Sequence, residues 1–239
     1  MPSRSTCNAI PRAAPARRSP RTACASAFDA QASNGMAQRE LTTPITEEAA
    51  RALRVGDTVV LRGTVYGIRD ATQIALFDRG RATRFDLAGH AVLHTAPNVK
   101  KVARSAEHPT GYAPLCVGTT TSARMERFTR PLLAQHGVRL VIGKGGLGAA
   151  SLAAFGEFGG AYLAVIGGTA ALETAWIEAI EDVDLDDLNP ESLWRFRVRD
   201  FGPIKVAMDS HGASVYASVD AQARGKREKA LAALGVKPR

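Results

Sequence analysis

Apolar residues fall in short β-branched runs separated by alanine-rich segments, and the pattern predicts strands with interspersed helices. In 41–53, Thr46 precedes Glu47, Glu48 and an alanine-rich turn, which predicts a capped helix with its carboxylates at the favourable end. The stretch VGDTVVLRGTVYGIRDA reads as a strand pair, 58–61 and 64–66, punctuated by Gly63. Residues 71–79 suit a short helix, and 91–95 a strand closed by Pro97. The polar span 100–112, with Pro109 and Gly111, reads as loop. Thr119, Thr120, Thr121 and Ser122 stand ahead of Arg124 as an N-cap region, and Phe128, Leu132 and Leu133 continue at helical spacing to Gly137. Strands are expected over 138–142 and 161–166. A helix is expected over 169–180, with Leu172, Ala175, Trp176, Ala179 and Ile180 on one face. The segments 195–198, 204–208 and 214–218 read as three closing strands, with Pro203 and Gly212 in the turns and Asp209 and His211 shaping the second. The fold class is mixed α/β.

The stretch 138–151 (VRLVIGKGGLGAAS) is the centre of this pattern. A β-branched run stops at Gly143, a lysine follows between glycines, and small residues open a helix. Glycine backbone, helix-start N–H groups and Lys144 together suggest a cradle for an anion. Gly143, Gly145 and Gly148 also spell the dinucleotide fingerprint, but that motif needs an acidic residue at the end of the next strand. Here the next strand runs into Gly167, Gly168 and Thr169. The Walker A order fails too, because Lys144 precedes its glycines.

Charge alters the picture only once it is divided along the chain. The formal net charge is +8, yet residues 1–35 hold five arginines against Asp29, and residues 224–239 hold six basic residues against Glu228. The body between carries about −1, which argues against a nucleic-acid face. No apolar run approaches the ~20 residues of a membrane span. Residues 1–35, rich in Arg, Ala, Ser and Pro, fit either a transit-like leader or an upstream start with Met36 as the true one. They are set apart from a domain over 36–221 and a basic tail over 222–239. Cys7 and Cys24 lie in the leader, so Cys116 is alone in the body, where it reads as a small buried hydrophobe. One cysteine suits a reducing, cytoplasmic setting and cannot hold an iron–sulfur cluster. His90, His94 and His211 lack metal-ligand spacing and read as loop or satisfied core histidines.

Three strand-end loops each offer a cation or hydroxyl: Arg69, then Thr120, Thr121 and Arg124, then Lys144. Guanidinium matches carboxylate bidentately and ammonium acts as a mobile point charge, so this set suits a small dicarboxylate.

The series GTVYGIRDA, GTTTSARM, IGKGGLG, GGTAAL and FRVRDFGPIKVAMDSHGASVY resembles, in order over 41–219, the C-terminal (beta) part of class I fumarate hydratases and the beta subunits of L(+)-tartrate dehydratases. The resemblance implies a swivelling β/β/α domain in three layers. It also implies an alpha partner whose cysteines hold a [4Fe–4S] cluster, and an active site formed where the two chains meet. The expected assembly is a hetero-oligomer of the alpha2beta2 kind, with no nucleic acid and no membrane. Arg69 matches the arginine of an R-D-x-A-H motif. Thr120, Thr121 and Arg124 match the threonines and arginine of G-P-T-T-x-x-R-M. Lys144 and Gly145 match the lysine and next glycine of G-K-G-G. The resemblance makes Thr120 and Lys144 catalytic. It has Arg69, Thr121, Arg124, Lys144 and Gly145 bind the substrate carboxylates, with the cluster iron taking the departing hydroxyl. Four positions depart from the pattern: Thr72 and Gln73 stand for the alanine and histidine of R-D-x-A-H, Thr119 for the proline, and Leu147 for the methionine after G-K-G-G. The expected activity is reversible hydration of fumarate or a similar dicarboxylate. The alternatives are a tartrate dehydratase beta subunit and a non-catalytic binding or assembly module that kept the fold.

Overall fold

The computed structural model describes residues 37–236; the leader expectation lies outside them. Seven strands form one sheet: β1 (Gln38–Thr42), β2 (Thr58–Ile68), β3 (Ala91–His94), β6 (Leu140–Gly143), β7 (Ala161–Ala164), β9 (Leu193–Met208) and β8 (Ile177–Asp184), in that spatial order. A separate hairpin pairs β4 (Asn98–Lys101) with β5 (Tyr112–Cys116). The first five sheet strands run parallel, and β9 is antiparallel to β7, β8 and β2. One edge of β9 pairs with β2 along its length, and the other pairs with β8 and then β7. The sheet thus closes into a ring, β2-β3-β6-β7-β9, with β1 and β8 attached outside the closure.

Strand alternation sorts the core into two sets. Leu93, Leu140, Ile142, Leu163, Phe196 and Phe201 pack in one cluster, with Ala50 of α1 (Glu47–Arg51) and Leu53 just beyond that helix. Their neighbours Val92, Val141 and Tyr162 join a second, against Leu132 and Leu133 of α3 (Thr129–His136) and Phe155 of α4 (Ala149–Phe158). Residues i and i+1 of the same strand therefore face different cores, which accounts for the nearly unbroken apolar runs of β3 and β6.

Several expectations hold. Thr46 caps α1 by accepting the Ala49 N–H, and Gly137 ends α3 in the left-handed conformation. The short helix over 71–79 is α2 (Asp70–Gln73) widening into a π-helical turn, Ile74–Asp78. Asp209 accepts the His211 and Ala213 N–H groups and so shapes the turn at Gly212.

Others are corrected. The expected strand pair at 58–66 is the single strand β2, with Gly63 at φ +97 in a bulge where a Cβ would meet Thr43 Oγ1 at 2.7 Å. The 195–198 and 204–208 strands are likewise one strand, β9. Gly202 and Pro203 bend it and do not end it. The helix over 169–180 stops after α5 (Ala170–Ala175), because Ile177 and Ile180 enter the core as β8 against β9. Leu172, expected in the core, is 56% exposed. The last expected strand, 214–218, opens α6 (Val215–Ala233) instead, with Ser214 accepting the Ala217 N–H. Lys100 and Lys101 belong to the β4–β5 hairpin, not to loop, and Cys116 is exposed rather than buried. No described helix is long and apolar enough to cross a membrane.

Candidate active site at the rim of the closed sheet

Because β2, β3, β6 and β7 run parallel, their C-terminal ends share one rim, the usual place for ligands in such sheets. Arg69 follows β2, Thr95 follows β3 and Lys144 follows β6. Between the diverging ends of β3 and β6 the chain 119–122 is stitched in like a short extra strand. Thr119 bridges Thr95, the Thr120 N–H donates to the His94 carbonyl at 2.7 Å, and Thr121 bridges Lys144. The Ser122 N–H donates to the Lys144 carbonyl at 2.9 Å. This is why the four hydroxyls do not cap a helix: the 3-10 turn Ser122–Phe128 starts without a side-chain cap. The hydroxyl run instead serves to lace two strand ends together.

Side chains complete the rim. The Arg124 guanidinium donates through Nη2 to Thr120 Oγ1 at 3.0 Å and to Asp70 Oδ2 at 3.2 Å. Asp70 also lies 3.5 Å from Arg69 Nε, and Glu191 Oε1 lies at the same distance on another side. Glu191 ties the start of β9 to this corner: its carboxylate accepts the Ala71 N–H at 2.8 Å, and its carbonyl accepts the Thr72 hydroxyl. Lys144 differs from both arginines. Among the described residues no carboxylate lies within ion-pair distance of its ammonium, although Glu173 is near enough to feel its charge. Glu173 is buried, accepts the Thr119 N–H and the Thr169 hydroxyl, and has its carboxyl pushed up by burial. Gly145, at φ +78, packs beside Thr121, where a Cβ would meet Cγ2 at 3.2 Å.

The structure thus brings Arg69, Thr120, Thr121, Arg124, Lys144 and Gly145 to one rim. It overturns one part of the anion cradle. The N–H groups of Gly148 and Ser151 at the start of α4 are taken by the Glu126 carboxylate, at 2.7 and 3.0 Å. That helix end already holds its anion, so the charge offered to a ligand comes from side chains. Sequence reasoning missed Glu126, Glu173 and Glu191, which lie 22, 54 and 120 residues from the atoms they hold. No local spacing signals such contacts.

Beneath the rim, His94 is fully enclosed. Its Nδ1 lies 2.9 Å from Ser122 Oγ, and Ser122 Oγ lies 2.9 Å from the Tyr162 hydroxyl. The His94 Nε2 and both amide atoms of Gln73 are buried without a hydrogen-bond partner. His94 is therefore only half satisfied. Burial lowers its pKa to about 4, partly offset by the Asp70 carboxylate, so the ring is neutral at pH 7.

The profile of the family described as Fumarase C-terminus matches residues 14–219. The chain belongs to this family. Among its relatives, the L(+)-tartrate dehydratase subunit beta of Escherichia coli (strain K12) is 39% identical over 178 residues, covering 74% of this chain and 86% of the relative. A putative L(+)-tartrate dehydratase subunit beta of Methanocaldococcus jannaschii is 35% identical over 181 residues, 74% of this chain and 90% of the relative. A putative fumarate hydratase class I of Geobacillus stearothermophilus is 39% identical over 181 residues, but the match covers only 34% of that longer chain. The family's C-terminal unit thus occurs both as a separate chain and as part of a larger one.

Proposed function

We propose that the chain is the beta subunit of a [4Fe–4S] hydro-lyase that reversibly hydrates a small dicarboxylate, fumarate and L-malate being the first pair to test. The tartrate dehydratase alternative is favoured by the beta-subunit relatives, which match this chain over most of their length. The observation that carries the reading is the rim itself: Lys144 without a counter-ion, beside an Arg124 that grips both Asp70 and the Thr120 hydroxyl. A dicarboxylate entering there meets an ammonium already free to pair and guanidiniums held in orientation by Asp70 and Glu191.

In this reading Arg69, Arg124 and Lys144 bind the carboxylates, with Thr121 and Gly145 shaping the floor. Thr120 takes the proton next to one carboxylate. A hydroxyl is a weak base, and the Arg124 hydrogen bond stabilises its deprotonated form. The Lys144 ammonium stabilises the charge that develops on the substrate carboxylate as the proton leaves.

The cluster does not fit this chain. Cys116 is the single cysteine among the described residues, and no group of three His, Cys, Asp or Glu side chains converges there. We assign it to an alpha subunit, with which this chain forms a hetero-oligomer of the alpha2beta2 kind in the cytoplasm. The closed sheet, with α1 packed in one core and α3 and α4 in the other, is, in this proposal, the swivelling β/β/α domain over 36–221. Co-expression with an alpha subunit, anaerobic purification and an absorbance assay with fumarate, L-malate and L-tartrate test the reading. Turnover that requires both chains supports it. A stable complex inert toward all three substrates overturns it.

A further inference from the structure

Ser122 does two things at once. Its backbone N–H holds the Lys144 carbonyl, and its hydroxyl reaches down between His94 and Tyr162. The hydroxyl fills the space above Gly143 so closely that a Cβ there would lie 1.9 Å from it. That same Cβ would stand 3.2 Å from the Tyr162 hydroxyl and 3.3 Å from His94 Nδ1. The glycine thus exists to admit a three-member polar chain under the loop that carries Lys144. Ser122 also follows directly on Thr120 and Thr121, so wherever its hydroxyl is pinned, both threonines are pinned. The chain of bonds works in either direction: Ser122 donates to Nδ1 and accepts from Tyr162, or accepts from Nδ1–H and donates to Tyr162. In both cases the ring is neutral and Nδ1 is the atom used.

We propose that His94 is a positioning residue: through Ser122 it fixes the distance between Thr120 and Lys144 without touching substrate. The catalytic part rests on the hydro-lyase reading above; the positioning part does not. A neutral polar side chain presenting one atom at the Nδ1 position satisfies this role. Asparagine does so, whereas leucine fills similar space and leaves the Ser122 hydroxyl without that partner.

Two measurements separate the parts. In the isolated chain, amide hydrogen exchange at Ser122 and Lys144 reads the stitching directly. We expect His94→Leu to speed it about tenfold and His94→Asn to leave it within about threefold of wild type. Ser122→Ala, which removes only one oxygen, is the second variant should His94→Leu not fold, and it has the same expected effect as His94→Leu. In the assembled enzyme, His94→Leu lowers kcat about 100-fold with KM nearly unchanged, and His94→Asn restores most of it. The His94→Leu, Ser122→Ala double variant is no worse than either single one. Unchanged exchange in both His94→Leu and Ser122→Ala overturns the proposal. So does a His94→Asn variant with wild-type exchange but no turnover, which would put His94 itself in the chemistry. An assembled wild-type enzyme inert toward every dicarboxylate refutes the hydro-lyase reading, while exchange still decides the positioning role.

Discussion

The protein carries two belts of basic side chains, and they are built on opposite principles. Along β8 and β9 every arginine has its match: Arg195 with Glu181, Arg197 with Glu178 and Glu181, and Arg199 with Glu178, while Arg84 from the loop ahead of β3 pairs with Asp182 of β8. Glu178 and Glu181 each serve two arginines, so charge is cancelled by shared carboxylates on a solvated face, and such contacts contribute little stability. On the rim, two carboxylates serve Arg69 and Arg124, and Lys144 is left over. The carboxylates there hold guanidiniums in place without exhausting them. Spacing and partner count, not the number of basic residues, set the proposed site apart from a decorated surface.

That contrast can be broken or sharpened by substitution. Lys144→Ala has the largest expected effect: kcat/KM in the assembled enzyme falls about 1,000-fold or more, with the melting temperature of the chain unchanged. Arg124→Ala follows at about 100-fold, because the hydrogen bond to Thr120 and one substrate contact vanish together. If both variants turn over normally, the rim is not the site.

A third test reads the polar chain below the rim through pH. The His94 pKa is about 4 in the folded chain against 6.5 in the unfolded one. As pH falls below 6.5 the unfolded chain takes up a proton that the folded chain refuses. Stability is therefore lost between about pH 6.5 and 4 and is fully present above that window. The expected loss from this group is about 2 kcal/mol between pH 7.5 and 5. Glu173, with its carboxyl raised by burial, acts in the opposite direction, so the urea midpoints of wild type and His94→Asn are compared at both pH values. An identical pH dependence in the two proteins contradicts the assignment. Glu126→Ala comes next: it strips the anion from the start of α4 and lowers the melting temperature by about 2–4 °C. Smallest of all is Arg199→Ala in the ladder, expected to leave turnover unchanged and to shift melting by about a degree at most, since Arg199 is 73% exposed.

How much of this could be read in advance depended on whether the deciding contacts were local. The rim was legible because its residues sit in short stretches that end strands: Arg69 after an apolar run, Lys144 between glycines, and Thr120 four residues before Arg124. Their supports were not, since Glu191 reaches Ala71 across 120 residues. The strand errors share one physical cause. Gly202-Pro203 has the composition of a turn, yet a Cβ at Gly202 would meet the Val59 carbonyl oxygen at 2.5 Å, so the pair marks a close approach of β9 to β2. In 169–180 helical spacing was real, but pairing with β9 took the second half of the segment away from the helix. The reverse happened at 214–218, where a segment expected as a strand opens with a good cap and continues as an exposed helix.

The closure of the ring by β9 has a consequence for how the chain folds. Thr58 pairs with Lys205, so the contact that seals the sheet joins residues 147 positions apart. Until β9 is made, β2 and β7 each present an unpaired edge, and a chain ending before Leu193 has no strand with which to cover them. Long-range closure of this kind slows folding, and it places the moment of completion late in synthesis. The proposed site at the rim and the seam that seals the sheet are thus finished together, so truncation in this region is expected to cost solubility as well as function.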